Sequence, residues 1–219
     1  MKIAILGGTG HFGQGLALRW AKNHEVAIGS RDPKKAIHLA RSLNEEAQKL
    51  WGRMTISGSL HPAAVKDAEV IVLALRFPHV LPLLEALRSD LTSKLILSPV
   101  VPLVKKAFFQ YAPPPEGSAA LAIRNCLPDS CSVVAALHTI PAMELREARK
   151  EIEGDVVLCG DEEKSKRWVQ SLIEEIPSLR VLDGGPLEVS KQVEALTPLI
   201  LNLKQFSLGK DLKIKFLSI

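Results

Sequence analysis

Between Met1 and Leu6 the chain is apolar except for Lys2, a continuous rather than alternating run, as expected of a strand covered on both faces in a parallel sheet. Glycines stop it at once. A helical segment follows from Gly13 to about Lys22, and Glu25 to Gly29 supplies a second short apolar run. Asp32 before Pro33 reads as a helix cap and a first-turn proline, after which Ala36, Ala40, Leu43, Ala47 and Leu50 recur at helical spacing. Further strands are expected at Met54 to Ser57, Glu69 to Leu75, Lys94 to Ser98 and Ser132 to Leu137, with helices at Pro78 to Leu87 and Ser118 to Cys126. This alternation predicts an α/β fold, a Rossmann-like, doubly wound, mostly parallel sheet.

Past Ala142, Asp155 to Cys159 and Arg180 to Asp183 read as strands flanking a helix from about Glu162 to Glu175, which predicts a smaller C-terminal α/β appendage. The expected division is a larger first part over residues 1–142 and a smaller part over 143–219. A last helix from Glu188 to about Phe206 places Val189, Val193, Leu196, Ile200 and Leu203 at core spacing, and Leu199 and Leu201 make it apolar nearly all round. Such a helix is expected to be buried and kinked at Pro198. Little chain remains to cover it, so a homodimer interface is the expected cover. The proline-rich run Tyr111 to Gly117 reads as a stiff surface loop.

The 219 residues are 47% hydrophobic and 24% charged, with a mean hydropathy of +0.13, the balance of a chain that folds around a core. Apolar stretches such as Val70 to Leu75 fall far short of the roughly 20 residues that cross a bilayer. No signal peptide is evident and a cytoplasmic location is expected. Cys126, Cys131 and Cys159 are odd in number and lack metal-site spacing, so reduced thiols and no metal are expected. A net charge of +4 without a basic block fits anionic small ligands, with neither a nucleic-acid nor a membrane partner expected.

The chemistry begins at Gly8-Thr9-Gly10-His11-Phe12-Gly13, a G-x-G-x-x-G element between an expected strand and an expected helix. Glycine lets the backbone approach a pyrophosphate, and the helix N-terminus offers it free N–H groups and positive dipole. The end of the second strand selects the nucleotide, because an acidic residue there would bind the 2′-hydroxyl of NAD. Here the chain reads Gly29-Ser30-Arg31, with Lys34 and Lys35 in the next helical turn, the wrong end of its dipole for cations. A 2′-phosphate resolves that conflict, with a hydroxyl from Ser30, a planar fork from Arg31 and a point charge from Lys35. NADP is the expected nucleotide.

Over essentially its full length the chain resembles the coenzyme F420-dependent NADP oxidoreductases, enzymes that pass hydride between NADP(H) and a deazaflavin. The runs that carry the resemblance are Leu6 to Gly10 through Gly15 to Arg19, Gly29 to Arg31, Ser98-Pro99 with Pro102, Ala136 to Ala142, Cys159 to Asp161, and Glu194 to Asn202. The resemblance implies NADP against Thr9 to Phe12, Ser30, Arg31, Lys35, Phe77, Leu81 and Leu103, and Ala142 near the nicotinamide. It also implies coenzyme F420 stacked on that ring beneath His138, Thr139, Ile140, Pro141 and Ala142 and the tail around Leu212. Arg76-Phe77-Pro78 departs from the family's Pro-Trp at this place, and Asn23 replaces a usual glycine.

No side-chain nucleophile is then needed, because the cofactors carry the reactive chemistry and the protein positions them. His138 is expected to pack or hydrogen-bond rather than to act as a general acid, and no catalytic side chain is assigned. His61 and His79 are expected on the surface or in loops. The residues alone leave two alternatives open: an NADPH-dependent imine or keto-acid reductase on the same scaffold, and a non-catalytic NADPH-sensing module.

Overall fold

The computed structural model describes residues 1–217 of the chain. The chain opens with β1 (Lys2–Leu6), α1 (His11–Trp20), β2 (Glu25–Ser30) and α2 (Pro33–Trp51). Next come β3 (Ile56–Leu60), α3 (His61–Val65), β4 (Val70–Leu73) and, after a 3-10 turn at Phe77–His79, α4 (Val80–Ala86). Then follow β5 (Leu95–Ser98), a hairpin of β6 (Leu103–Lys105) and β7 (Phe109–Tyr111), α5 (Ala119–Cys126), β8 (Ser132–Ala135) and α6 (Ala142–Arg146). The C-terminal part supplies β9 (Gly154–Gly160), α7 (Glu163–Glu174), β10 (Leu179–Asp183) and α8 (Ser190–Leu203), which runs into a π-helical turn at Lys204–Leu208.

Eight strands form one sheet in the order β10-β9-β8-β5-β4-β1-β2-β3. All neighbours are parallel except β8 and β9. The central strands β1 and β4 explain the unbroken apolar runs, since Ile3 to Leu6 and Val70 to Leu73 are no more than 1% exposed. From β1 the chain winds outward through β2 and β3, then returns through β4 to β5 and β8. The crevice beyond the carboxyl ends of β1 and β4 is therefore the switch point where such sheets bind ligands.

The C-terminal α/β segment adds β9 and β10 to the edge of this same sheet and shares its core. Leu16 and Trp20 of α1 belong to one buried cluster with Val169 and Leu172 of α7, and the Trp20 indole donates to the Leu172 carbonyl at 2.8 Å. Asp32 caps α2 by accepting from the N–H groups of Lys34 and Lys35, with Pro33 in the first turn, as the sequence suggests.

Three features depart from the pattern reading. First, β3 lies at Ile56–Leu60 rather than at Met54 to Ser57. The Asn44 amide clamps both backbone groups of Ile56, while Met54 is 64% exposed. Second, α3, α6 and the β6–β7 hairpin are too short to leave a periodic signal. Third, α8 is only half covered. Val193, Glu194 and Pro198 are buried, but Leu199 is 54% and Leu203 42% exposed, continuing into exposed Phe206 and Leu208. The helix adjoins the β6–β7 hairpin, because the Asn202 side chain bonds both backbone groups of Phe109, and the hairpin carries exposed Val104 and Phe108.

Candidate functional site

The glycine turn between β1 and α1 is built by contact. Gly7 has φ +75°, and a Cβ on it would lie 2.6 Å from the Leu75 side chain. On Gly13 a Cβ would stand 2.5 Å from the Gly8 Cα, so the third glycine of the motif lets α1 sit directly on the turn. At Gly10 a Cβ would meet nothing within 4 Å, and Thr9, Gly10 and His11 are exposed. The turn is thus closed on its protein side and open at the ten-residue helix's N-terminus, where no side chain caps the free N–H groups. An anionic group fits there.

At the end of β2, Ser30 accepts from the Asp32 N–H at 3.1 Å, which leaves its own O–H free to donate. Arg31, Lys34 and Lys35 are exposed, and none of them enters an ion pair among the described residues. Arg31 lines a cleft of about 290 Å³ together with His61, Leu75, Pro78, His79, Pro82, Leu83 and Ala86. His61 is buried, at 6% exposure, against the expectation of a surface or loop residue. Burial first, and the Arg31 charge second, hold its imidazole below the usual histidine range.

A second cleft, of about 260 Å³, lies beyond the carboxyl ends of β4, β5 and β8 and beside α1. It gathers Phe12, Leu103, His138 and Ile140, four of the residues expected at the cofactor rings, with Arg76 and Thr197. Leu137 just before His138 has φ +69°, a left-handed backbone that costs a branched residue about 1–3 kcal/mol and that tends to persist at functional sites. His138 is 7% exposed, neither ring nitrogen has a partner among the described residues, and burial pushes its pKa down to about 4. The side chain is neutral at pH 7 and is held with both ring nitrogens buried at the edge of this cleft.

The remaining expected residues surround these clefts. Phe77 and Leu81 are half-buried and pack on the core beneath the 3-10 turn and α4. Pro141 caps the start of α6 and Ala142 is its first residue. Thr139 lines a small cavity behind His138, closed by Ile214 and Phe216 of the tail. Leu212 is half-buried in the same tail, which is fastened by Lys213 to Glu144 and by the Phe216 N–H to Asp155.

Several residues that hold the two clefts together are not singled out by the sequence pattern. The Gln14 amide donates to the Thr9 carbonyl in the glycine turn and accepts from Arg146 of α6, whose guanidinium also forks onto Glu46 of α2. Arg19, 5% exposed, donates to the carbonyls of Glu144, Leu145, Glu147 and Lys150. Gly15 allows this docking, since its Cβ would stand 2.5 Å from the Leu145 carbonyl carbon. An arginine inside the apolar run Leu16-Ala17-Leu18-Arg19-Trp20 was the one available signal. Thr197 of α8 donates to the His138 carbonyl at 3.0 Å, which joins the last helix to the second cleft.

Residues 2–102 match the family described as NADP oxidoreductase, coenzyme F420-dependent. The chain is also 36% identical, over the full length of both proteins, to the F420-dependent NADP reductase of Methanocaldococcus jannaschii. The chain belongs to the coenzyme F420-dependent NADP oxidoreductase family. A second family relative, the F420-dependent NADP reductase of Methanothermobacter thermautotrophicus, is 33% identical over 93% of this chain and 89% of its own. A crystal structure from Arthrobacter sp. FB24, provisionally assigned as an F420-dependent NADP-reductase, superposes with a TM-score of 0.82 at 26% identity and full coverage of both chains. Membership in the F420-dependent family decides among the readings the residues alone left open: an oxidoreductase that uses NADP(H) and coenzyme F420. Among the described residues no helix is long and apolar enough to cross a membrane and no side-chain cluster suits a metal ion.

Proposed function

We propose that the protein transfers hydride reversibly between NADP(H) and coenzyme F420 (F420H2 + NADP+ = F420 + NADPH + H+). The observation that carries this reading is the second cleft: it opens beside the glycine turn at the switch point of the sheet, and its walls are largely apolar. The nicotinamide and the deazaflavin supply the redox chemistry themselves when bound. The protein's share is placement. The α1 N-terminus holds the pyrophosphate between the free N–H groups of Thr9 to Phe12, and Ser30, Arg31 and Lys35 hold the 2′-phosphate.

Phe12, Leu103 and Ile140 exclude water from the facing rings, and Pro141 and Ala142 border the nicotinamide. His138 stays neutral and offers one hydrogen bond, while Thr139 and the tail at Leu212 close the deazaflavin side. Holding two reactants in register is worth up to roughly 7–11 kcal/mol in the best cases, enough to carry the reaction without a side-chain nucleophile. Phe77 and Leu81 support the nucleotide side from below.

Residues 1–142 hold NADP in this reading and residues 143–219 complete the deazaflavin site. The open face of α8, with Leu199, Leu203, Phe206 and Leu208, pairs with a second copy of the chain. The reaction is placed in the cytoplasm, in keeping with three free thiols, and needs no nucleic acid or membrane. Mixing the protein with NADPH and oxidised coenzyme F420 tests the proposal: the deazaflavin absorbance bleaches at a rate proportional to enzyme. An unchanged spectrum with NADPH bound would refute it.

A further inference from the structure

In the parallel register of β2 and β3, Ser30 stands opposite Leu60, so the next residues, Arg31 and His61, leave the sheet side by side. Gly29 makes room for the imidazole. A Cβ there would lie 2.9 Å from the His61 Nδ1. That nitrogen is buried without a partner among the described residues, whereas Nε2 is not buried in this way, and the ring lines the cleft shared with Arg31 and His79. An unpaired buried N–H is more costly than an unpaired lone pair, so the proton belongs on Nε2, and the ring presents a donor to the cleft. The ring shares its cleft with Arg31, next to the end of β2 where the NADP reading puts the 2′-phosphate.

We infer that His61 is a specificity-determining residue that donates from Nε2 to the 2′-phosphate of NADP and so adds to the discrimination against NAD. The inference rests on the NADP reading and deepens it: the phosphate is held between β2 and β3 rather than by the β2 turn alone. The pattern that hides it is local. His61 opens α3, a five-residue helix with Pro62 behind it, and a histidine at a helix start reads from sequence as a surface residue.

Binding of NADP+ and NAD+ to the full chain, measured by titration calorimetry, separates the outcomes. His61→Asn keeps a polar group near Nδ1 but withdraws the donor from the cleft, whereas His61→Gln carries an amide N–H out to the Nε2 position. His61→Asn should weaken NADP+ about ten-fold and leave NAD+ unchanged, and His61→Gln should restore most of the loss. Equal weakening of both nucleotides in His61→Asn, or no change in NADP+, overturns the inference and leaves the NADP reading standing. Wild-type protein that binds NADP+ no more tightly than NAD+ overturns both the inference and the nucleotide reading. Melting curves on the variants confirm that each is folded.

Discussion

The two clefts are built on opposite principles. Around the glycine turn and the end of β2, backbone geometry does the work: Gly7 and Gly13 admit no side chain, and the cations nearby are exposed and unpaired among the described residues. Around His138, buried side chains from distant parts of the chain do it, with Thr197 of α8 holding the carbonyl of a histidine 59 residues away. One cleft is a local motif that waits for charge. The other is an assembly of largely apolar walls around His138, whose imidazole burial holds below the usual histidine range.

Breaking the turn should have the largest effect. Gly13→Val drives a side chain into the Gly8 backbone, costs about 1–3 kcal/mol of stability, and by displacing the turn should weaken NADPH binding about a hundred-fold. Retained affinity by fluorescence titration would mean that the turn does not hold the pyrophosphate. Arg31→Ala should come next, narrowing the preference for NADP over NAD by about ten- to a hundred-fold, since one charged hydrogen bond contributes about 1.5–3 kcal/mol.

In the second cleft His138→Gln sharpens the contrast. Turnover should stay within about ten-fold of wild type, because a neutral imidazole provides a hydrogen bond and not a transferred proton. Stability should respond to pH instead. The folded pKa of about 4 lies below the unfolded value of 6.5, so the unfolded chain takes up the proton first and the wild type loses stability as pH falls from 6.5 through 4. The variant should lose less over that window in urea melts. Glu194 gives the opposite limb. It is fully buried on α8 and accepts from the N–H groups of Ala119 and Ala120 and from the Tyr111 hydroxyl, yet burial raises its pKa to about 7. A raised carboxyl stabilises below its unfolded value and loses that contribution as pH rises through 7, so Glu194→Gln should flatten the neutral side of the profile. Leu203→Glu, on the open face of α8, should change nucleotide affinity least, and on the proposed pairing with a second copy it should lower the mass seen by light scattering to that of a monomer.

The same contrast explains what could be read from sequence. The central strands, the cap at Asp32 and the glycine turn are legible because each is dictated by neighbours in the chain: burial on both faces, a fixed first-turn geometry, a backbone that admits no Cβ. His138 to Ala142 carried no local rule, and only its resemblance to a family marked it. Arg19, Gln14 and Arg146 were missed because their function is to bridge elements more than a hundred residues apart, which no spacing encodes. The apolar α8 reads from sequence as a helix that needs a second copy to cover it; Val193 is buried within the chain, and Leu199 and Leu203 are exposed among the described residues.

The proposed reaction requires hydride to pass directly from one ring to the other within one cleft. NADPH deuterated at C4, supplied in each of its two isomeric forms with oxidised coenzyme F420 in ordinary water, tests it most directly by mass spectrometry of the reduced deazaflavin. One isomer should deliver its label to the product and the other should retain it on NADP+. Reduced deazaflavin free of label from both isomers would contradict the account.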